Sequence, residues 1–263
     1  MEFHLAPLKN ISCWAFRAMF HGVTDSYTEM ISLKSLIMNK QKAWENVDTF
    51  SIPGQRQWLQ VLTNNLRDIA KLPRCLSQYY FNNPDRTNIY GVNINAGSPD
   101  PEIIAAGEGA ALVKRTKRLK ELIEAFLEKP DSHSFHVSCK MRLGLNAREM
   151  NFNKVRDFLE EIRIIDDPRL SPTIVHFKHV QQTSQEAPHW EFLESILDVG
   201  VPIIINGGIG MPKHVDQIRE RLKFQYQKSW NKLISGIMIG RTAIKDPNCF
   251  ELFNPLQNKK QNE

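Results

Sequence analysis

Residues 88–112 read NIYGVNINAGSPDPEIIAAGEGAAL, and they decide the fold that we predict. A β-branched run ends in the turn Gly97-Ser98-Pro99, and Pro101 is well placed to begin a helix, with Asp100 as its capping residue. This strand, turn and helix present Asn95 and Ser98 at the carboxyl end of a strand. Because α/β folds place their chemistry at that end, we predict that the turn belongs to an active site.

The same alternation of short apolar runs and amphipathic stretches continues along the whole chain. We predict strands near residues 2–6, 26–30, 57–62, 88–94, 134–142, 172–177, 201–205 and 234–239. The clearest helices between them are predicted at residues 101–128, 151–164, 189–198 and 211–224. Eight βα units in 263 residues favour a single-domain (βα)8 TIM barrel, which typically needs about 250 residues. We expect the barrel over residues 1–253 and a short polar tail over 254–263.

Composition limits the functional classes. The chain has 34 Lys and Arg against 29 Asp and Glu, and this net charge of +5 permits a nucleic-acid partner without requiring one. Its four cysteines, scattered without a C-x-x-C pair, indicate neither a zinc site nor a disulfide framework, and we expect no metal. No apolar run reaches the length of a signal peptide or a membrane span. We therefore expect a soluble protein in a reducing cytoplasm.

Charged and polar residues at other predicted strand ends suggest what the site binds. Lys140 and Arg142 fall on the same side of the fifth strand. Two cations at a barrel mouth indicate an anionic or electron-rich ligand, and a pair of solvated charges is the alternative. Gln60 is polar within an apolar strand. Its amide needs hydrogen-bond partners, which either a bound ligand or the protein itself could supply.

Two apolar strands run directly into glycine turns. The first is VPIIINGGIG at 201–210, and the second is SGIMIGRTA at 235–243. Glycine lets backbone N–H groups approach an anion closely, and TIM barrels commonly bind phosphate in the loops after strands seven and eight. We predict a phosphate cradle from Asn206, Gly207, Gly208, Gly240 and Arg241; tight turn chemistry alone is the alternative.

These strand-end motifs, in this order, resemble the tRNA-dihydrouridine synthases, which are FMN-dependent TIM-barrel enzymes. The resemblance runs from Leu5 to Phe250. The matching segments are Ala6-Pro7-Leu8 with Phe16-Arg17, Thr28-Glu29-Met30, Asn95-Ala96-Gly97-Ser98-Pro99, Lys140-Met141-Arg142-Leu143-Gly144, His176-Phe177-Lys178, Asn206-Gly207-Gly208 and Gly240-Arg241. The family's His-x-Arg is His-x-Lys here, and its Asn-Gly-Asp or Asn-Gly-Glu is Asn-Gly-Gly.

The resemblance implies a role for each matched position. FMN would contact Pro7, Leu8, Gln60, Lys140, His176 and the glycine turns. The substrate would contact Asn95, Arg142 and Lys178, and the catalytic set would be Ser98, Asn95, Lys140 and His176. The implied reaction is reduction of the C5–C6 double bond of uridine in tRNA, with NADPH as the reductant.

Two departures from the family bear on activity. Ser98 stands where the family has the cysteine that protonates uracil, and an alcohol is a much weaker acid than a thiol. The usual helical RNA-binding domain has no room in 263 residues, so tRNA binding would be weak unless a protein partner supplies one. The basic residues at 114–120 could contact RNA phosphates, but a solvated helix face is the more ordinary interpretation.

Two other functions remain open. One is an FMN-dependent reductase of a small pyrimidine or enone, similar to dihydroorotate dehydrogenase, in which serine can serve in proton transfer. The other is a catalytically weak flavoprotein that binds tRNA or a partner subunit.

Overall fold

The computed structural model describes residues 1–45, 47, 50–86, 89–183 and 185–253. Within these residues, eight parallel strands close into a barrel in chain order, and β8 pairs with β1. The strands are β1 Glu2–Leu5, β2 Asp25–Ser32, β3 Arg56–Leu62, β4 Gly91–Ala96, β5 His136–Arg142, β6 Thr173–His176, β7 Ile203–Asn206 and β8 Ile234–Ile239. The predicted TIM barrel is confirmed.

Helices connect the strands and surround the barrel. They are α1 Trp14–Ala18, α2 Leu33–Ile37, α3 Gln41–Glu45, α4 Leu66–Asn82, α5 Pro101–Ala105, α6 Thr116–Leu127, α7 Ala147–Met150, α8 Lys154–Ile162, α9 Leu193–Leu197, α10 Pro212–Glu220, α11 Phe224–Lys228, α12 Trp230–Leu233 and α13 Arg241–Lys245. Short 3₁₀ segments cover Gly109–Lys114, Pro130–Ser134, Trp190–Phe192 and Glu251–Phe253. No helix in the described residues is long and apolar enough to cross a membrane.

The single helix predicted at 101–128 is wrong. Asp100 caps its start as expected, since the carboxylate accepts the Glu102 N–H at 3.1 Å. However, Gly107 and Gly109 adopt φ values of +76° and +57°. This left-handed backbone ends α5 and separates it from the 3₁₀ segment and α6.

The core has two parts. The larger one lies between the barrel and the helices, where apolar faces such as Leu119, Leu122, Ile123 and Phe126 of α6 pack. A smaller cluster of alternate strand residues fills the barrel interior; it consists of Ala6, Tyr27, Trp58, Ile174, Ile204 and Met238. The strand alternation that produces this packing also directs a ring of polar side chains toward the carboxyl end of the barrel. The expected tail at 254–263 lies outside the described residues.

Candidate active site at the barrel mouth

Two adjoining cavities open at the carboxyl ends of the strands. One of about 450 Å³ is bounded by the β1, β3, β4 and β5 ends, and it includes Gln60, Asn95 and Ser98. The other, of about 500 Å³, is bounded by the β6, β7 and β8 ends and includes His176. Lys140 and Arg142 line both cavities, so the two cations lie at the junction of one continuous cleft.

The turn after β4 is fixed by Asn95. Its Oδ1 accepts the backbone N–H groups of Gly97 at 3.0 Å and Ser98 at 2.8 Å. Its Nδ2 donates to Gln60 Oε1 at 2.9 Å and contacts Met30 Sδ at 3.8 Å. The Asn95 amide is therefore used in shaping the turn. Ser98 is 6% exposed, and its hydroxyl faces the cavity with no hydrogen-bond partner among the described residues.

Lys140 is a cation without a counter-ion. Its Cα pairs with that of Asn95 in the neighbouring strand, and its Nζ has no hydrogen bond or ion pair within the described part of the chain. Burial, and secondarily the charge of Arg142, lower the pKa of Lys140 to about 7. An anion or an electron-rich ring in the cleft would relieve both effects.

Arg142 differs from Lys140 because the protein holds it in place. Its Nε donates to Gly97 O at 2.9 Å, and its Nη1 donates to His179 O at 3.1 Å. Burial and the nearby Arg241 lower the pKa of Arg142 to about 10. Arg142 therefore ties the turn after β4 to the loop after β6 while its charge faces the cleft.

His176 faces the second cavity as a neutral imidazole. Burial, followed by the charges of Lys140 and Arg142, holds its pKa well below the usual value. Its ring packs against the β7 corner so closely that a Cβ at Gly207 would lie 3.0 Å from His176 Cδ2. A larger residue at 207 would displace the ring from the cleft.

The two glycine turns meet in the second cavity, which both Gly208 and Gly240 line. Gly207 and Gly208 have φ values of +121° and +66°, and within the described residues their N–H groups find no acceptor. Exposed Arg241 lies beside them. Unpaired amides next to an arginine fit the phosphate of an FMN-type ligand. The Asn206 amide instead donates to Met238 O at 2.8 Å and joins β7 to β8.

The β1 loop covers the other side of the cleft. Pro7 lines both cavities, and Leu8 lines the second while its N–H donates to Ser12 Oγ at 2.7 Å. Lys9 Nζ reaches Asp100 Oδ2 at 3.2 Å and joins this loop to the start of α5. This pair could not be predicted from the sequence, because its members are 91 residues apart.

Lys178 lines neither of the two cavities. Its ammonium donates to the carbonyl of Thr183 at 3.1 Å and to that of Glu186, so it organises the loop after β6. The family resemblance implied a position at the substrate, but β6 ends at His176 and the backbone bends at 177–178. The sequence does not reveal that change of direction.

Three of the five basic residues at 114–120 are paired with acids, while Arg115 and Lys117 are exposed. Lys114 contacts Glu149 at 2.6 Å, and Arg118 contacts Glu121 at 3.0 Å. Lys120 contacts Glu124 at 2.9 Å. These pairs favour the interpretation of a solvated face over that of an RNA-binding surface.

At the opposite end of the barrel, one group of described residues has metal-ligating spacing: Glu2, His4 and Asp25. Arg56 already binds both carboxylates of this group, with Nη2 at 2.5 Å from Glu2 Oε1 and 2.7 Å from Asp25 Oδ2. The guanidinium supplies the positive charge that a metal would bring, so this geometry describes an ion-pair network.

Comparison with known families agrees with the geometry of the cleft. The sequence model of the dihydrouridine synthase (Dus) family matches residues 4–263. The chain belongs to this family.

Curated relatives of this Dus chain are longer proteins. It is 25% identical over 178 residues to the tRNA-dihydrouridine(20) synthase [NAD(P)+] of Schizosaccharomyces pombe; the match covers 66% of this chain and 33% of that protein. It is 27% identical over 161 residues to a probable tRNA-dihydrouridine synthase of Staphylococcus epidermidis, covering 61% and 45% respectively. The matched part thus spans a third to less than half of the relatives' length.

Solved structures share the fold of this Dus barrel. The old yellow enzyme from Trypanosoma cruzi superimposes with a TM-score of 0.58 at 10% identity, covering 98% of this chain and 88% of that one. A variant of NCR from Zymomonas mobilis gives a TM-score of 0.53 at 14% identity, with 97% and 86% coverage. At such identities the likeness concerns the fold alone.

Proposed function

We propose that this chain is an FMN-dependent oxidoreductase that reduces the C5–C6 double bond of a uridine in tRNA, with NADPH as the reductant. One observation carries the proposal: a single cleft joins the two glycine turns to the Ser98 turn, with Lys140 at the junction, and neither the Ser98 hydroxyl nor the Lys140 ammonium has a partner among the described residues. Membership of the Dus family gives this arrangement its chemical interpretation.

The second cavity would hold the cofactor. The Gly207–Gly208 corner, Gly240 and Arg241 would bind the FMN phosphate, while Pro7 and Leu8 would lie along the ring system. Bound FMN would supply hydride chemistry. Lys140 would place its positive charge beside the electron-rich ring, and neutral His176 would contact the ring without adding a further cation.

The first cavity would receive the uracil base. Arg142 is held by its contacts with backbone carbonyls, and its positive charge would orient the base in the cleft. The Ser98 hydroxyl would be the proton donor next to the carbon that is protonated. Asn95 and Gln60 would act by fixing the turn, since each amide is engaged within the protein. We assign Lys178 to the loop after β6 and not to the substrate.

A binding experiment tests the cofactor. Purified protein should be yellow or should take up added FMN, with a flavin absorbance band near ~450 nm. Replacing Arg241 with Ala should weaken FMN binding by about tenfold, because it removes a charge-assisted contact with the phosphate. Protein that is colourless and takes up no FMN would refute the proposal at its first step.

A second candidate is the reduction of a small pyrimidine or enone by the same flavin site. The observation in its favour is Ser98, because serine can serve in proton transfer in flavin enzymes similar to dihydroorotate dehydrogenase, which act on small substrates. Anaerobic reoxidation of the reduced flavin by tRNA and by free small substrates separates the two functions. Reoxidation by the small substrates alone would favour the second candidate.

A further inference from the structure

The barrel interior below the Ser98 turn contains a continuous chain of side-chain hydrogen bonds. From the turn, Asn95 Nδ2 donates to Gln60 Oε1 at 2.9 Å, and Gln60 Nε2 donates to Asn93 Oδ1 at 2.8 Å. Asn93 Nδ2 then donates to Ser138 Oγ at 2.7 Å. Gln60, Asn93 and Ser138 are direct Cα neighbours across β3, β4 and β5.

The turn determines which amide donates and which accepts in this series of hydrogen bonds. The N–H groups of Gly97 and Ser98 can only donate, so Asn95 must present its oxygen to them and its Nδ2 to Gln60. Gln60 must then present its oxygen to Asn95 and its Nε2 to Asn93. If Asn93 offered no acceptor, the Gln60 amide could rotate, and its NH2 group would face that of Asn95.

Asn93 has no other evident task. It is fully buried, it lines neither cavity, and so it does not touch a ligand in the cleft. Burying an amide in a barrel interior is costly unless its hydrogen bonds are made. The contacts that compensate for this cost lead to Gln60 and, through it, to the catalytic turn.

We propose that Asn93 is a positioning residue that fixes the orientation of the Gln60 and Asn95 amides, and thereby holds Ser98 at the substrate cavity. The catalytic consequence of this role rests on the proposed function. The structural consequence, a turn locked by an amide chain from the barrel interior, does not depend on it.

Two substitutions at position 93 separate hydrogen bonding from packing. Asn93→Asp keeps an acceptor for Gln60, and the Ser138 hydroxyl can adapt because it both donates and accepts. Asn93→Leu has similar size but no polar atom. Asn93→Leu should lower the rate constant of tRNA-dependent flavin reoxidation by about tenfold or more, because the turn that carries Ser98 is misplaced. The KM for tRNA should stay within about twofold, because the groups that bind tRNA are unchanged. Asn93→Asp should stay within about threefold of the wild type.

Ile174→Ala is the matched control, since Ile174 belongs to the apolar cluster of the interior and lies outside the amide chain. It should lower the melting temperature as Asn93→Leu does, but leave the rate constant nearly unchanged. An equal loss of rate in Ile174→Ala would assign the effect to destabilisation and overturn the inference.

A second measurement does not use activity. In a Ser98→Cys background, alkylation of the introduced thiol by iodoacetamide, followed by mass spectrometry of its peptide, reports how well the turn is held. Adding Asn93→Leu should speed alkylation by about fivefold or more, because a loosened turn exposes a site that is now almost buried; adding Asn93→Asp should not. If this pattern holds while the wild type forms no dihydrouridine, the proposed function fails and the positioning role stands. Equal alkylation rates in all three proteins would overturn the positioning role.

Discussion

In the proposed reaction, residue 98 would set the strength of the acid that protonates the uracil base. A thiol has a pKa of about 8.5, whereas an alcohol scarcely ionises in water, and general acid catalysis contributes about 10²–10⁴-fold to a rate. We expect Ser98→Cys to raise tRNA dihydrouridine formation by about tenfold or more. Quantifying the nucleoside by mass spectrometry after a timed reaction checks this.

Ser98→Ala is the control for that comparison. If the serine hydroxyl relays a proton, its removal should lower the rate below that of the wild type. A Ser98→Cys protein that is no faster than the wild type would show that the missing thiol was not the limiting defect. It would then favour a flavoprotein that serves tRNA or protein binding.

Lys140 makes the stability of the cofactor-free protein depend on pH. Its folded-state pKa of about 7 lies below the ordinary value of 10.5, so the unfolded chain binds more protons between these values. The unfavourable contribution of Lys140 is therefore complete below pH 7 and disappears as the pH rises toward 10. We expect Lys140→Met to melt a few degrees higher than the wild type at pH 6.5, with a smaller difference at pH 9.5.

Lys117→Met is the matched control for Lys140→Met, since Lys117 is exposed. It should show no such pH-dependent difference in melting temperature. A constant difference between Lys140→Met and the wild type across this pH range would contradict the idea of a buried, uncompensated lysine.

At the scale of elements, the β7 corner should bind FMN through its backbone. Gly208 and Gly200 both have positive φ, but an added Cβ at Gly208 would meet Pro188 Cγ at 2.9 Å, whereas at Gly200 nothing lies within 4 Å. Backbone strain should cost each Gly→Ala variant about 1 kcal/mol of unfolding free energy, and the contact with Pro188 should add to this cost at Gly208. Only Gly208→Ala should also weaken FMN binding, by about tenfold, because it displaces the unpaired amides.

Fluorescence titration with FMN and urea denaturation measure the two quantities separately. Equal FMN affinity in both glycine variants would show that the β7 corner does not hold the cofactor.

The elements also show where sequence reasoning succeeds. Strands were predictable because short apolar runs alternate with amphipathic stretches along the chain. The helix expected at 101–128 fails at Gly107 and Gly109, since helical periodicity on both sides hides a left-handed backbone between them. Asn93 gave no signal, because a buried amide is distinguished only by neighbours on other strands.

At the scale of the whole molecule, strand order explains why distant motifs form one site. Each parallel strand delivers its carboxyl end to the same rim, so residues 7, 60, 98, 140, 176 and 241 line one cleft. The family motifs allowed this convergence to be predicted. The sequence could not show which polar side chains face the cleft and which bind other parts of the protein. Lys178 and the Asn206 amide belong to the second group, and only their hydrogen bonds in the structure reveal this.

The most direct test is to express the chain in cells that lack endogenous dihydrouridine and to measure that nucleoside in their tRNA by mass spectrometry. We predict that dihydrouridine appears with the wild type, increases with Ser98→Cys and falls sharply with Arg241→Ala. Folded, FMN-containing protein that yields no dihydrouridine, even with Ser98→Cys, would contradict it.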